Sequence, residues 1–219
     1  GDLDRRGSGD IWTMTVDEYI EAPRMRRLLY RLSRNPFILF VLAPLPIFLI
    51  YQRFTTRGYS WRDRLSVWFT NLGIAAIAWT MITQVGLWQY VVLQGTITFV
   101  SCSLGLWLFY VQHQFEDTHW RKGDEWQLHE AALKGSSHYV LPKPLQWLSA
   151  NIGIHHVHHL YSRIPFYRLP EVLRDNAALA EAQRLTVWES FKSVNLHLWD
   201  EKLQKLLSFR EAKKLYDLA

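Results

Sequence analysis

The residues from Leu65 to Leu87 read LSVWFTNLGIAAIAWTMITQVGL, and those from Tyr90 to Val111 read YVVLQGTITFVSCSLGLWLFYV. Neither stretch contains a charged residue, and only Trp88 and Gln89 separate them. As helices, both are long enough to cross the roughly 30 Å hydrocarbon core of a bilayer. The sequence therefore predicts a hairpin of two antiparallel membrane-spanning helices, with its tip outside and its second helix returning to the cytoplasm.

Charge is segregated along the chain. There is no Lys or Arg from Leu65 to Trp120, whereas both flanks are rich in them, which is typical of a membrane protein. The net charge of +5 would also suit nucleic acid, but the arginines cluster beside apolar segments, where they would meet an anionic lipid leaflet. We therefore expect no nucleic-acid partner. The single cysteine, Cys102, excludes a disulfide framework and a cysteine-based zinc motif.

A shorter apolar segment, from Phe37 to Tyr51, contains Pro44 and Pro46 and has arginines on both sides, Arg34 before it and Arg53 and Arg57 after it. Fifteen residues at about 1.5 Å each fall short of the hydrocarbon core. Because positively charged residues favour the cytoplasmic side of a membrane, both ends of this segment are expected on that side. We expect a re-entrant or in-plane segment, preceded by a basic interfacial helical region from Thr13 to Arg34 that opens on a capping box at Thr15 and Glu18.

Small and polar residues inside the two apolar stretches carry further expectations. The small ones would let the two helices pack closely; they are Gly73, Ala75, Ala76, Ala78, Gly95, Ser101, Ser103 and Gly105. Asn71, Gln84 and Gln94 are polar at membrane depth and would either bond between helices or line a cavity.

The stretch from Asn151 to His159, NIGIHHVHH, holds four of the nine histidines. On one helix, His155, His158 and His159 share a face, with Asn151 one turn below and His156 pointing elsewhere. Neutral imidazoles suit iron, copper, nickel and zinc, so this pattern favours a metal site over a tract that binds metal only incidentally.

His113 closes the second apolar stretch and would lie on the same side of the membrane as this histidine helix. Glu116 follows one turn later, where its carboxylate could orient the imidazole. We expect His113 to be a fourth metal ligand, with Glu116 and Asn151 as supporting polar groups. The isolated histidines are expected at the surface or in packing; they are His119, His129, His138 and His197.

The rest of the chain predicts further short elements. We expect a helix from Trp126 to Lys134 ended by Gly135, the histidine helix from Pro144 to Leu160, and an irregular stretch from Tyr161 to Pro170 that passes close under it. A second capping box is expected at Thr186 and Glu189. The fold class is all-α, in one partial domain made of an interfacial part (1–64), a transmembrane hairpin (65–111) and a cytoplasmic cap (112–219).

Several of these stretches resemble the C-terminal part of a membrane fatty acid desaturase, in particular the bacterial and plastid acyl-lipid group that acts at the twelve or omega positions. The resemblance covers nearly the whole chain. Its carriers are residues 1–7 (GDLDRRG), 9–13 (GDIWT), 34–36 (RNP), 110–118 (YVQHQFEDT) and 151–159 (NIGIHHVHH).

The resemblance implies three histidine boxes that hold two irons on the cytoplasmic or stromal side. Only the third box is present here, as His155, His158 and His159, and His113 matches an extra ligand that follows the last membrane helix. His119 stands where Tyr is common. The other boxes are expected upstream of Gly1, so the resemblance implies an incomplete ligand set and an inactive fragment.

The implied activity is O2-dependent desaturation of long-chain acyl groups in membrane lipids. Removing hydrogens from an unactivated methylene needs an oxidant that no organic side chain supplies. The two electrons would come from a ferredoxin-like or cytochrome b5-like donor. Two alternatives stay open: a related histidine-box hydroxylase or ketolase, and a non-enzymatic membrane module with a structural metal.

Overall fold

The structure is a computed structural model that describes residues 1–6, 11–55, 58–180 and 182–217. Residues 7–10, which contribute to the resemblance, and Arg57 lie outside the described residues. The chain is mostly helical, which confirms the expected class, with a few short strands that the sequence did not predict. It divides into two compact units, one formed by Gly1–Tyr30 with Leu108–Ala219 and the other by Arg31–Trp107.

The first elements are a two-residue strand β1 (Met14–Thr15), helix α1 (Val16–Glu21) and helix α2 (Arg24–Ser33). The capping box expected at the start of α1 is present: Thr15 Oγ1 accepts from the backbone N–H of Glu18, and the Glu18 carboxylate accepts from the backbone N–H of Thr15. The guanidinium of Arg6 also donates to the Glu18 carboxylate, which ties the start of the chain to α1.

After α2, Asn35 Oδ1 accepts from the backbone N–H groups of Phe37 and Ile38 and turns the chain. A π-helical turn (Ile38–Leu42), helix α3 (Pro44–Leu49) and a 3₁₀ turn (Tyr51–Arg53) follow. Pro44 opens α3 at a position where its missing N–H costs nothing. The axis of Ile38–Arg53 is bent by 62° from that of α2, a geometry found in broken spans and re-entrant loops.

Two long apolar helices come next, α4 (Trp61–Val85) and α5 (Leu87–His113), and both are long and apolar enough to cross a membrane. α4 begins earlier than expected, because Ser60 and Asp63 form a capping box. The break falls at Gly86 and not at Trp88 and Gln89, which lie inside α5. Gly86 has φ 92° and ψ 151°, a conformation that is essentially restricted to glycine.

The expectation of close packing around the small residues is not met at the three glycines. Apart from its chain neighbours and the nearby backbone of its own helix, a Cβ added at Gly73, Gly95 or Gly105 would have no described atom within 4 Å. Of the polar residues, Asn71 Nδ2 donates to the backbone carbonyl of Arg53 at 2.9 Å, and Gln94 Nε2 donates to Thr98 Oγ1 at 3.1 Å. Both contacts are local to one helix or its neighbouring segment.

The remaining chain forms short elements. They are a 3₁₀ turn (Gly123–Glu125), α6 (Leu128–Lys134), β2 (His138–Val140), α7 (Lys143–Leu148), α8 (His155–Leu160), a 3₁₀ turn (Phe166–Arg168), α9 (Leu169–Asp175), α10 (Ala177–Ala180), β3 (Arg184–Thr186), α11 (Val187–Ser193), β4 (Leu198–Asp200), β5 (Lys205–Leu207) and α12 (Phe209–Tyr216). As expected, α6 ends at Gly135 and α11 begins with the box of Thr186 and Glu189.

Two small sheets lie in the unit formed by Gly1–Tyr30 and Leu108–Ala219. β2 pairs in parallel with β3, and β4 lies between β1, in parallel, and β5, antiparallel. A buried cluster joins the two ends of the chain, because Met14, Val16 and Tyr19 pack with Leu198 and Leu207.

Candidate metal centre

The histidine stretch does not lie on one long helix. The expected helix from Pro144 to Leu160 is instead two helices, α7 and α8, and the histidines occupy the second. The chain between them turns through Ala150 and Asn151, both with φ 54° in the left-handed region. The backbone N–H of Asn151 donates to the Gln146 carbonyl at 2.7 Å, which closes the end of α7.

Gly153 fixes the point where α8 begins. The backbone N–H of Tyr139, in β2, donates to the Gly153 carbonyl at 2.7 Å. A Cβ on Gly153 would lie 2.3 Å from the Tyr139 carbonyl oxygen, so this close approach requires glycine. His138 and Ile154 complete the contact as an isolated β-bridge. The strand therefore positions the first turn of α8.

Three imidazoles converge where α5 ends. His113, His155 and His159 each offer a ring nitrogen, and these nitrogens lie within 4.8 Å of one another. His159 Nε2 lies 3.0 Å from His113 Nε2 and 3.0 Å from His155 Nε2. The ring planes of His113 and His155 are nearly perpendicular, with their centroids 4.8 Å apart.

A backbone carbonyl orients His113. Its Nδ1 lies 2.7 Å from the carbonyl oxygen of Phe109, one turn earlier in α5, and a carbonyl can only accept. The proton is therefore on Nδ1, and Nε2 presents its lone pair to the cluster. This is the usual arrangement of a metal-binding histidine, in which the second nitrogen bonds to a carbonyl or carboxylate.

His155 is the buried member of the cluster. Burial, with smaller effects of the neighbouring His113 and His159, holds the pKa of His155 well below its usual range. The ring is therefore neutral at physiological pH, which is the form that binds a metal. His159 is exposed and completes the set from the solvent side.

His158, the remaining residue of the predicted ligand face, lies next to this group. Its ring stacks on that of His155 with centroids 5.6 Å apart, and it is half-buried. A cavity of about 360 Å³ opens beside the cluster, with His113, His159, Trp126 and Leu128 among its lining residues.

The two supporting residues are placed differently from the prediction. Asn151 lies in the turn before α8, and its Nδ2 donates to the Phe166 carbonyl at 3.0 Å, which links this turn to the stretch after α8. Glu116 lies beyond the end of α5, and its carboxylate is 3.4 Å from Lys205 Nζ. The role expected for Glu116 falls to the Phe109 carbonyl, which a sequence pattern cannot reveal.

The other histidines lie apart from this set. His156 points away, as expected: it is fully buried, with its Nε2 2.9 Å from the Leu179 carbonyl. His138, His119 and His197 are buried in packing positions, and His129 is exposed.

The donor set fits a transition metal. Three neutral imidazoles suit iron, copper, nickel or zinc. With metal–imidazole bonds of about 2.1 Å, two ligands at right angles stand about 3.0 Å apart, which matches the two nitrogen separations in the cluster. His155 Nδ1 is buried with no hydrogen-bond partner among the described residues.

A comparison with protein families decides the class. The model of the family described as fatty acid desaturase matches residues 3–191. The chain belongs to the fatty acid desaturase family. Desaturases of this family are oxidoreductases that generally use two irons and act on membrane lipid or acyl substrates.

Individual desaturases agree with this placement. The chain is 44% identical over 213 residues to a fatty acid desaturase of Bacillus subtilis, a match that covers 97% of this chain and 60% of the relative. It is 26% identical to the sn-1 oleoyl-lipid 12-desaturase of Synechocystis, over 87% of this chain and 56% of that protein. A 28% match links about half of the chain to the chloroplastic omega-6 fatty acid desaturase of Brassica napus, of which it covers 25%. The chain thus spans about three-fifths of the two longer matches.

Proposed function

We propose that the protein containing this chain inserts double bonds into long-chain acyl groups of membrane lipids, using O2 and two electrons from an external donor. The observation that carries the proposal is the convergence of His113, His155 and His159 at the end of a long apolar helix. A metal site in that position serves an acyl chain that is reached from the bilayer.

In this proposal, His113, His155, His158 and His159 hold iron, as part of a two-iron set. When bound, the irons supply the oxidising power that removes hydrogens from an unactivated methylene pair. The chain sets the orientation and the protonation state of the imidazoles. The Phe109 carbonyl keeps the His113 lone pair on the cluster, and burial keeps His155 neutral.

The finer substrate assignment rests on similarity. A Synechocystis relative is named an sn-1 oleoyl-lipid 12-desaturase, and Brassica and Arabidopsis relatives are named omega-6 desaturases. We therefore propose a lipid-linked acyl substrate and a new double bond at the twelve or omega-6 position. A ferredoxin-like or cytochrome b5-like protein would supply the electrons.

The proposed arrangement in the membrane follows the charge pattern. Residues 65–111 form the transmembrane hairpin, the residues before them are interfacial with a re-entrant segment at 37–51, and residues 112–219 form a cap on the cytoplasmic or stromal face. Together they make one partial domain, and the histidines lie on the side where the arginines cluster.

The decisive experiment expresses the full-length gene product in a bacterium that makes only saturated and monounsaturated lipids. We expect new diunsaturated fatty acids by gas chromatography, with the bond position read from mass spectra of dimethyl disulfide adducts. His155→Ala and His159→Ala should abolish the product and lower bound iron. His129→Ala, at an exposed histidine outside the cluster, should leave both unchanged.

Three outcomes would contradict parts of the proposal. Hydroxylated or keto products would place the protein among the related oxygenases. A redox-silent ion such as zinc, with no oxygen consumption, would make the histidines a structural metal site. Full activity in the His155→Ala variant would remove the cluster from the chemistry.

A further inference from the structure

Helix α2 (Arg24–Ser33) is amphipathic, and its apolar face points away from the unit that anchors it. With 3.6 residues per turn, Met25, Leu28, Leu29 and Leu32 fall within an arc of about 100°. Each of these four residues is between 44% and 65% exposed. Tyr30 lies on the opposite side of the helix and is 1% exposed.

Tyr30 is the anchor of α2. Its hydroxyl donates to the His197 carbonyl and accepts from the backbone N–H of Met14 at 3.1 Å. Its ring meets Trp12 edge-on, with centroids 5.3 Å apart. These contacts fix the rotation of α2 about its axis, so the outward position of the four apolar side chains is set by the fold.

The other charged amphipathic helix, α12 (Phe209–Tyr216), shows the usual arrangement. There Ala212 is fully buried, and Phe209 and Tyr216 pack against the same core cluster that holds Tyr30. The basic residues Arg210, Lys213 and Lys214 stand on the other side. The two helices are thus similar in sequence pattern, but the apolar face of α12 packs on the core whereas the apolar face of α2 points outward.

The charges of α2 indicate what its outward face meets. The helix carries Arg24, Arg26, Arg27 and Arg31 and no acidic residue. Arg24 and Arg26 flank the apolar arc on its two sides, and Arg26 lies over the Trp12 ring at 5.9 Å. An apolar strip bordered by arginines complements a lipid surface with negative headgroups. Directly after α2, the chain bends by 62° into the apolar segment Ile38–Arg53.

We infer that α2 lies in the plane of the membrane and binds anionic phospholipid headgroups through Arg24 and Arg26, with Met25, Leu28, Leu29 and Leu32 inserted at the acyl boundary. This inference rests on the membrane placement in the proposed function but not on the metal site or on catalysis. Each arginine near an anionic surface contributes on the order of a fivefold preference for the bound state.

The test uses the full-length protein, reconstituted in nanodiscs, with a fluorophore on Met25→Cys in a background from which Cys102 and every other cysteine have been removed. Brominated acyl chains quench a fluorophore that is inserted at the acyl boundary. In discs containing phosphatidylglycerol we expect strong quenching, and in pure phosphatidylcholine weaker quenching. Raising NaCl to about 0.5 M should reduce the quenching in the anionic discs, because salt screens surface charge.

The double variant Arg24→Gln/Arg26→Gln should lower the docked fraction in anionic discs at least tenfold. The matched control is Lys213→Gln/Lys214→Gln on α12, which removes the same charge and should change the quenching little. Circular dichroism checks that both variants are folded. The salt dependence of the quenching, measured on the labelled protein with all of its arginines in place, tests the inference without using the charge variants.

Two results would overturn the inference. Equal quenching in both lipids that salt does not alter would show that headgroup charge plays no part. No quenching in either lipid would show that a protein, such as an acidic electron donor or a second copy, covers the apolar face. Because the readout is fluorescence, an inactive protein with normal quenching would contradict the desaturase proposal alone.

Discussion

Gly153 is the residue on which the geometry of the histidine helix depends most directly. We expect Gly153→Ala to destabilise the protein by on the order of 1–3 kcal/mol, because its Cβ would lie 2.3 Å from the Tyr139 carbonyl. Bound metal should fall as well, since α8 begins at this contact. Thermal unfolding in detergent, followed by tryptophan fluorescence, measures the first effect, and metal analysis the second.

The control is Gly95→Ala in α5. Apart from its chain neighbours and the nearby backbone of its own helix, no described atom lies within 4 Å of a Cβ placed there, and alanine is favoured over glycine in a helix by about 0.5–1 kcal/mol. This variant should unfold at the same temperature as the unmodified protein or slightly higher. Equal stability of the Gly153→Ala variant would mean that the approach of β2 to α8 is not tight.

His138 should make stability depend on pH. Burial, with smaller effects of His156 and Arg184, lowers the pKa of His138 from 6.5 to about 4 in the folded state. The unfolded chain therefore binds this proton more tightly, and stability is lost as the pH falls from about 6.5 towards 4. The slope contributed is at most about 1.4 kcal/mol per pH unit.

Denaturant titrations of the metal-free protein between pH 7 and pH 4 measure this dependence. The neighbouring His156, whose pKa burial also lowers, contributes in the same direction. The unfolding free energy of the His138→Gln variant should therefore still fall with falling pH, but with a slope that is smaller by up to the contribution of one proton, about 1.4 kcal/mol per pH unit. Identical slopes for the variant and the unmodified protein would show that His138 is not the titrating group.

At the level of single helices, two capping boxes allow a matched comparison. Glu18 closes the box of α1 and also accepts from Arg6, whereas Glu211 closes the same kind of box with Ser208 at the start of α12. Hydrogen bonding to Arg6 lowers the pKa of Glu18. The Glu18 carboxylate therefore stabilises the fold at pH values above the usual carboxyl pKa, and this stabilisation is lost on acidification.

Glu18→Gln should cost about 0.5–1 kcal/mol more than Glu211→Gln, a modest figure because the Glu18 side chain is 40% exposed. Unfolding free energies of the two variants at pH 7 measure the difference. Equal losses would mean that the Arg6 pair adds nothing beyond the cap.

The elements that the sequence predicted are those set by neighbouring residues. The boxes at Thr15 and Thr186 and the end of α6 at Gly135 need only local hydrogen bonds. The break between α7 and α8 depends on the backbone of Tyr139, which is distant in sequence. The periodicity of the sequence does not register this contact, so it predicted one continuous helix from Pro144 to Leu160. The two- and three-residue strands were missed for the same reason, since their partners lie up to 184 positions away.

The histidines themselves were readable from their spacing, because residues i and i+4 share a helix face wherever the helix begins. His155 and His159 have this spacing, and the structure brings them together with His113. The group that orients His113 was not readable, because every residue has a carbonyl and only the position of α5 selects that of Phe109.

At the scale of the whole molecule, the membrane topology is the main prediction. Asn35 precedes the bent segment Ile38–Arg53, and Ser60 precedes α4. Single cysteines at these two positions, in a Cys102→Ala background, should react with an impermeant maleimide from the same side of the membrane. A cysteine at Trp88, just after the Gly86 break, should react from the other side.

Labelling of positions 35 and 60 from opposite sides would mean that the bent segment crosses the bilayer and would give three spans. A cysteine at Glu125, in the region expected to form the cytoplasmic cap, provides the reference for the cytoplasmic side, and its labelling should match that of position 35.

The bond from Tyr30 to the His197 carbonyl joins residues 167 positions apart, and this separation sets an order of events during synthesis. A ribosome adds about 5–20 residues per second, so the start of the chain must wait on the order of 10–30 seconds before its docking site exists. Both apolar helices and the last metal-ligand candidate, His159, are synthesised within that interval. The nascent protein therefore contains all of its candidate metal ligands before the contact between Tyr30 and His197 can form.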